Sequence, residues 1–123
     1  MKSILGAGNA LTDLVFTLPD KSLLEGMGLR AGSMTHVGRQ EQERILGLLE
    51  GCGRAVIPGG SAANTVAATA RLGLSSGFIG MVGDDAIGRI YAEEMQGSGV
   101  EAHLLKGKNP SGTAIAIITP SDG

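Results

Sequence analysis

The amino-acid sequence predicts an α/β fold in which helices flank a mainly parallel sheet. Apolar segments of strand length alternate with amphipathic segments of helix length, and the connections between them are short. Glycine accounts for 21 of the 123 residues, without a collagen repeat, which indicates tight turns and close backbone approaches. Aromatic residues make up only 2%, so the core must be built mainly from Ala, Val, Ile, Leu and Met.

The first half of the chain predicts three strands and two helices. Short apolar or β-branched runs, ended by glycine or proline, predict strands at residues 3–7, 14–18 and 33–37. A short helix is predicted at residues 22–27, before a glycine. Residues 39–50 predict a longer helix, because Ile and Leu fall on one face while Gln, Glu and Arg fall on the other.

The second half of the chain predicts a regular alternation of strands and helices. Short strand–helix–strand connections imply right-handed crossovers, and therefore a mainly parallel sheet covered on both faces. One of these helices can be capped by Asp84 or Asp85. The predicted elements, in order, are strand 55–57, helix 62–72, strand 77–82, the capped helix ending near residue 97, strand 102–105 and strand 113–119.

Residues 120–123, Pro-Ser-Asp-Gly, predict a turn after the last strand. The strand that would pair with residues 113–119 is then missing, and a long unpaired apolar strand promotes aggregation. We therefore expect the 123 residues to be an incomplete structural unit.

The composition argues against several classes of function. The formal net charge is −2 and Lys and Arg do not cluster, which argues against nucleic acid or an acidic membrane as a partner. No apolar run reaches the roughly 20 residues that a membrane span needs. The single cysteine, Cys52, cannot form an internal disulfide and fits a reducing compartment. We expect a soluble, cytoplasmic protein.

The segment PGGSAANTVAATARLGL, residues 58–74, is the most informative in the chain. Gly59 and Gly60 allow a ligand to approach the backbone, at the point where a strand leads into a helix N-terminus. Asn64, in the first turn of that helix, can both donate and accept hydrogen bonds. The alternative is a tight turn in which Ser61 caps the helix.

The segment GAGNALTD, residues 6–13, places two polar residues among apolar strand residues. The Asp13 carboxylate could accept hydrogen bonds from two adjacent sugar hydroxyls, an arrangement that is charge-assisted and geometrically selective. Asn9 lies four residues before it. The alternative is an Asx-turn and a cap in a chain reversal.

Together with IGMVGDDAIG (79–88) and PSGTAIAII (110–118), these two segments resemble the PfkB family, which includes ribokinases, adenosine kinases and fructokinases. The four stretches occur in the family's order, and the resemblance covers essentially the whole chain. It implies a ribokinase-like fold with a small β lid over the substrate. Residues 1–123 would be the N-terminal part of that domain, with lid strands within about 14–37 and 113–119.

The resemblance also implies roles for individual residues. Asp13 matches the aspartate that binds two sugar hydroxyls, and Asn9 matches a supporting contact. Ser61 stands where ribokinases usually have lysine, and together with the Asn-x-x-x-Asp spacing it favours the adenosine-kinase-like branch. Two alanines of the last strand would face the sugar from the lid. The implied substrate-binding residues are Asn9, Asp13, Gly59, Gly60, Ser61, Asn64, Ala114 and Ala116.

The implied activity is ATP-dependent phosphorylation of the hydroxymethyl group of a sugar or nucleoside. ATP, Mg²⁺ and a monovalent cation are the cofactors that the resemblance suggests. In this family the catalytic aspartate lies in a later Gly-Ala-Gly-Asp-like segment. These residues contain neither such a segment nor the later ATP-binding half. We therefore expect this chain alone to be inactive, with no catalytic or cofactor-binding residue of its own.

Three further hypotheses accompany this interpretation. The chain could be a non-catalytic sugar- or nucleoside-binding module, or a stable fragment with no function of its own. A homodimer could form through an exposed lid strand.

Other sites are disfavoured by spacing. Gly6 and Gly8 suggest a dinucleotide-binding turn, but Leu11 stands where the third glycine would be. No phosphate-binding Gly-x-x-x-x-Gly-Lys-Ser/Thr motif occurs. The Asp84-Asp85 pair is explained more simply by a helix cap than by a metal.

No metal site is expected. His36, His103 and Cys52 lack the spacing of metal ligands. Three residues of the 79–88 stretch are interpreted as structural, shaping a strand-to-helix turn; these are Gly83, Asp85 and Gly88.

Overall fold

The computed structural model describes residues 2–120, and its contacts divide the chain into two compact units. The larger unit is made of Met1–Asp13 and Val56–Ala114, and the smaller unit of Leu14–Ala55 and Ile115–Gly123.

Six strands and four helices occur in the described part of the chain, in an order that agrees closely with the sequence-based expectation. They are β1 (Ser3–Ala7), β2 (Leu11–Thr17), α1 (Ser22–Gly26), α2 (Arg39–Leu48), β3 (Arg54–Gly59), α3 (Ser61–Arg71), β4 (Ser75–Gly83), α4 (Ala86–Gly97), β5 (Val100–Gly107) and β6 (Gly112–Ile118).

The first sheet has the order β1-β4-β5, and both of its strand pairs are parallel. Ala7 pairs with Ile79, and Ile79 pairs with His103. The parallel arrangement expected from the strand–helix alternation is thereby confirmed. Because the strands are parallel, their carboxyl ends lie along one edge, where ligands bind in open α/β sheets.

Helices α3 and α4 pack against the first sheet and form the core of the larger unit. Phe78 of β4 and Tyr91 of α4 are fully buried, with ring centroids 6.3 Å apart. Small residues allow α3 to approach β1 closely, since a Cβ at Gly6 would lie 2.8 Å from a Val66 methyl carbon. The buried cluster consists of Ala10, Ala63, Val66, Phe78, Val82, Tyr91, Met95 and Val100.

The opposite face of the first sheet is exposed in the part of the chain that the structure describes, and we call it the apolar face. It consists of Leu5, Ile79, Met81 and Leu105, of which Leu5, Met81 and Leu105 are 65%, 57% and 60% exposed. The register explains why they share a face, because Met81 pairs with Leu105 and Ile79 lies two residues before Met81. The expectation that helices cover both faces is therefore wrong for the first sheet as residues 2–120 form it.

Helix α4 begins with a side-chain cap. The Asp85 carboxylate accepts a 2.8 Å hydrogen bond from the N–H of Gly88, and Asp84 is exposed. Of the two candidate caps, Asp85 is the one used.

The second sheet has the order β3-β2-β6. Each of its strands contains residues of both units. Strand β6 has β2 as its hydrogen-bonded neighbour, so the expectation that it lacks a partner strand is wrong. The turn predicted at 120–123 lies, apart from Pro120, outside the described residues.

The smaller unit contains α1 and α2, whose buried residues include Leu24 and Ile45. An Arg44 side-chain N–H donates to the carbonyl oxygen of Met27 at 3.3 Å, which joins α2 to the end of α1.

The prediction that residues 33–37 form a strand of the lid is wrong. They adopt no regular structure, every residue from 31 to 38 is exposed, and Met34 is 89% exposed. Because the run offers only isolated apolar side chains, it has no face to bury, and β3 is the third strand of the second sheet instead. The assignment of the other strands to a lid stays a prediction.

Candidate functional site

Two predicted segments meet in the larger unit, at the Gly59-Gly60 turn between β3 and α3. The backbone of Gly60 has φ +99° and ψ 134°, a conformation that residues with a side chain rarely adopt. A Cβ at Gly60 would also collide with the carbonyl oxygen of Asn9. Glycine is therefore required here both by the turn and by the close approach of the 6–13 segment.

Asp13 lies beside the first glycine of this turn. A Cβ at Gly59 would be 2.9 Å from Asp13 Oδ2 and 3.4 Å from the carbonyl oxygen of Leu11. Asp13 is half-buried on β2, which begins at Leu11 rather than at the predicted residue 14. It is thus a strand residue, and the alternative of an Asx-turn in a chain reversal does not apply to it.

The Asp13 carboxylate has no hydrogen-bond or ion-pair partner within residues 2–120. A half-buried carboxylate without a partner has lost part of its hydration and retains its full capacity to accept hydrogen bonds. Chemically, it can take two hydroxyl donors at once.

Tyr91 supports the same turn. The sequence indicated only that Tyr91 lies on the apolar side of an amphipathic helix, not that it contacts this turn. Its hydroxyl donates a 2.9 Å hydrogen bond to the carbonyl oxygen of Gly59. Burial raises the pKa of Tyr91 to about 12. In the sequence, helical spacing predicts that Tyr91 is buried. It does not predict that the hydroxyl donates to the Gly59 carbonyl oxygen.

Helix α3 starts at Ser61, and Gly60 is its N-cap residue without a side-chain cap. The first intrahelical bond runs from the N–H of Asn64 to the carbonyl oxygen of Gly60, at 2.9 Å. Ser61 is exposed and its carbonyl oxygen accepts from the Thr65 hydroxyl at 2.8 Å. The alternative in which Ser61 caps the helix is therefore wrong, and the side chains of Ser61 and Asn64 face solvent.

A cleft of about 300 Å³ opens at the carboxyl edge of the first sheet, next to Asn9. We call it the edge cleft. Its polar side chains are Asn9, Lys108 and Asn109, and Asp13 does not line it. The sequence indicated Asn9, and the 110–118 stretch includes Pro110 and Gly112, but no sequence pattern indicated Lys108 or Asn109. The lining residues are Gly8, Asn9, Ala10, Leu11, Met81, Val82, Gly107, Lys108, Asn109, Pro110 and Gly112.

The two lid alanines are placed on one side of β6. Ala114 and Ala116 are both exposed and alternate with half-buried residues, as expected for neighbours on one face of a strand. Ala114 belongs to the larger unit and Ala116 to the smaller one. Their role toward a ligand stays a prediction.

No group of three or more His, Cys, Asp or Glu side chains that could hold a metal ion occurs among the described residues. His103 lies on β5 with its Nε2 3.1 Å from a carboxylate oxygen of Glu101, at the surface. Within residues 2–120, none of the helices has the length and apolar character of a membrane span.

Comparison with known protein families gives a finding that is independent of the site geometry. The model of the pfkB family carbohydrate kinases matches residues 32–123. A 5-dehydro-2-deoxygluconokinase of Geobacillus thermodenitrificans (strain NG80-2) is 40% identical over 68 residues, which are 52% of this chain and 20% of the relative. The probable fructokinase-7 of Arabidopsis thaliana is 40% identical over 62 residues, 50% of this chain and 18% of the relative. The chain thus matches about a fifth of each relative's length.

Solved structures with a similar fold include adenosine kinases. The enzyme from Sinorhizobium meliloti has a TM-score of 0.79 and 30% sequence identity, covering 96% of this chain and 36% of its own. The enzyme from Anopheles gambiae has a TM-score of 0.80 and 25% identity, with the same coverage. The ribokinase-like α/β fold expected from the sequence is confirmed by these similarities.

Proposed function

Because the chain belongs to the pfkB family of carbohydrate kinases, we propose that residues 1–123 form the N-terminal, substrate-binding part of an ATP-dependent kinase. Its acceptor is the hydroxymethyl group of a sugar or nucleoside. The observation that carries this proposal is the meeting of Asp13 and Asn9 with the Gly59-Gly60 turn, two segments far apart in sequence. The Asp13 carboxylate, which has no partner among residues 2–120, is the group that a substrate would satisfy.

In the proposed complex, Asp13 accepts hydrogen bonds from two neighbouring hydroxyls of the substrate. Such bonds are charge-assisted and select for the spacing of a vicinal diol. Asn9 contributes an amide that can donate and accept. The glycines keep the backbone accessible, and the uncapped first turn of α3 presents N–H groups to polar atoms of the ligand.

The phosphoryl donor belongs to another part of the kinase. ATP with Mg²⁺, and a monovalent cation, are implied by the family, but the described residues offer no acidic cluster that could hold a metal. Phosphoryl transfer itself is therefore not assigned to these residues. Their proposed part in the reaction is to bind and orient the acceptor.

The relatives disagree on the kind of acceptor. Those found by sequence are named as sugar kinases, whereas the solved structures at 25% and 30% identity are adenosine kinases. Ser61, which lies exposed at the start of α3, favours the adenosine-kinase-like branch in our interpretation. Both classes are therefore included in the test.

The test is calorimetric titration of the chain with ribose, fructose, adenosine, inosine and guanosine. We expect saturable binding of one class. Asp13→Asn should weaken it by about tenfold to a hundredfold, because a hydrogen bond to a charged group contributes about 1.5–3 kcal/mol.

Asp84→Asn is the matched control, because the Asp84 side chain is 73% exposed and forms a 3.3 Å surface ion pair with Lys106. It should leave the affinity unchanged. Equal weakening by both substitutions, or no binding by a folded chain, would contradict the proposed half-site.

A non-catalytic binding module remains the second candidate, since it would use the same half-site. The reading frame downstream of residue 123 separates the two. A Gly-Ala-Gly-Asp-like segment there supports the kinase, and an unrelated domain supports the binding module. Cytoplasmic location and a homodimer through the lid strands stay predictions, the latter to be checked by light scattering.

A further inference from the structure

A hydrogen-bonded network joins three chain segments beside the edge cleft. The Asp85 carboxylate accepts from both donors of Ser111, with Oδ2 2.8 Å from the Ser111 nitrogen and Oδ1 2.7 Å from the Ser111 hydroxyl. The same hydroxyl accepts from the N–H of Gly83 at 2.9 Å. The end of β4, the start of α4 and the segment before β6 are therefore tied to one another.

The backbones in this network are too close for side chains at two glycines. A Cβ at Gly83 would lie 2.6 Å from both the carbonyl oxygen of Asn109 and the nitrogen of Ser111. A Cβ at Gly88 would collide with the carbonyl oxygen of Gly83 and lie 3.1 Å from the Ser111 hydroxyl oxygen. Gly83 and Gly88 of the 79–88 stretch are thus explained by this network.

The Asp85 carboxylate, at the centre of this network, is held in its charged form. Burial of Asp85 disfavours the charge, but the hydrogen bonds from Ser111 and Gly88 outweigh it, so the pKa of Asp85 lies below its ordinary value. Its position at the N-terminus of α4 also favours a negative charge. The bonds to Ser111 are therefore charge-assisted, the stronger class of hydrogen bond.

Ser111 is flanked by residues of the cleft wall. Asn109, Pro110 and Gly112 line the edge cleft, as does Asn9. A Cβ at Gly112 would be 3.0 Å from a Leu11 methyl carbon, so this segment also touches the 6–13 segment. Holding Ser111 in place therefore holds the cleft wall in place.

We propose that Asp85 and Ser111 are positioning residues that fix the 107–112 segment as a wall of the edge cleft, and that this cleft, which Asn9 also lines, holds part of the ligand. The identity of the ligand as a sugar or nucleoside rests on the proposed function. Neither residue lines the cleft. They act on binding through the placement of Asn109 and its neighbours.

The test combines amide hydrogen exchange with ligand affinity for Ser111→Ala, Asp85→Asn and the conservative Ser111→Thr. Ser111→Ala removes the acceptor of the Gly83 N–H and one donor to Asp85. Asp85→Asn replaces one acceptor oxygen with an amide that cannot accept. We expect exchange at residues 107–112 and at Gly83 to accelerate by about tenfold or more, the effect of losing a hydrogen bond to a charged group.

The dissociation constant of the ligand should rise by a similar factor, and Ser111→Thr, which keeps the hydroxyl, should restore both values toward those of the wild type. Ser76→Ala is the matched control. Ser76 is buried and its hydroxyl is 2.8 Å from that of Thr69, at the opposite end of β4 from the cleft. It should lower the melting temperature without selective exchange at 107–112.

The proposal is overturned if Ser111→Ala behaves like Ser76→Ala, with exchange accelerated uniformly or with affinity unchanged. If the wild-type chain binds none of the five ligands, the proposed function fails. The exchange pattern alone then tests whether Asp85 and Ser111 fix the 107–112 segment. Acceleration confined to 107–112 and Gly83 supports it, and uniform acceleration overturns it.

Discussion

The hydroxyl of Tyr91 donates a 2.9 Å hydrogen bond to the carbonyl oxygen of Gly59, a residue 32 positions earlier in the chain. Tyr91 is fully buried on α4, and Gly59 is the last residue of β3, directly before Gly60 with its positive φ. A core side chain thus supports the turn at which the two substrate-binding segments meet.

Tyr91→Phe should destabilise the larger unit by about 1–2 kcal/mol, because the Gly59 carbonyl stays buried and loses its partner. Denaturation by urea measures the change. A loss no greater than that for an exposed substitution such as Asp84→Asn would show that the bond contributes little.

Titration of Tyr91 should show its buried state directly, because it is the only tyrosine and the chain has no tryptophan. The pKa is raised from 10.0 to about 12, so the stability that this shift reflects is present below pH 10 and is lost as the pH rises toward 12. Absorbance of the phenolate should give a midpoint of about 12 in the folded chain. In urea it should fall to about 10. Equal midpoints in both conditions would contradict this prediction.

Thr12→Val should stabilise the chain by about 1 kcal/mol or more, since an unpaired buried hydroxyl costs about 1–3 kcal/mol. Thr12 is fully buried, and its hydroxyl has no partner within the residues that the structure describes. Thr69→Val is the matched control with the opposite sign, because the Thr69 hydroxyl bonds to the Val66 carbonyl oxygen and to Ser76. Thermal unfolding of both variants tests the pair, and destabilisation by both would count against this account of Thr12.

Gly60→Ala should cost more than Gly73→Ala, although both glycines have positive φ, +99° and +87°. Space is open around Gly73, so the cost there is only that of the backbone conformation, about 1–2 kcal/mol. At Gly60 the methyl group would also collide with Asn9, which should displace the 6–13 segment and abolish ligand binding. Stability and calorimetric binding measured side by side separate the two costs. Similar losses in both variants would mean that Asn9 can move aside freely.

Acid should weaken the Asp85 network in a predictable window. Because the pKa of Asp85 is lowered from 3.8, its contribution to stability is present above that value and is lost as the pH falls through the lower, folded-state pKa. The difference in stability between the wild type and Asp85→Asn should therefore be constant near neutral pH and shrink below about pH 4. A difference that does not change with pH would contradict the charged state of Asp85.

The order of elements could be predicted because it depends on local patterns. The apolar spacing of Ile87, Ile90, Tyr91 and Met95 indicates α4, and the Gly59-Gly60 pair indicates the turn before α3. Residues 33–37 were predicted wrongly because a strand needs a neighbour to pair with, and five residues of sequence do not show whether one exists.

The candidate site was predictable only in part, for the same reason. Motif resemblance indicated Asn9 and Asp13, and the glycines could be read from the turn they require. The bonds from Tyr91 to Gly59 and from Ser111 to Asp85 join residues 32 and 26 positions apart. Such pairings are set by the packing of β4 and α4, which no local pattern encodes.

The apolar face has a practical consequence for anyone who handles this polypeptide. A patch formed by Leu5, Ile79, Met81 and Leu105 is retained by phenyl-substituted chromatography resins, and sulfate strengthens that retention because it is excluded from protein surfaces. Purification will therefore be gentlest at low salt, and ammonium sulfate will precipitate the chain early despite its small size.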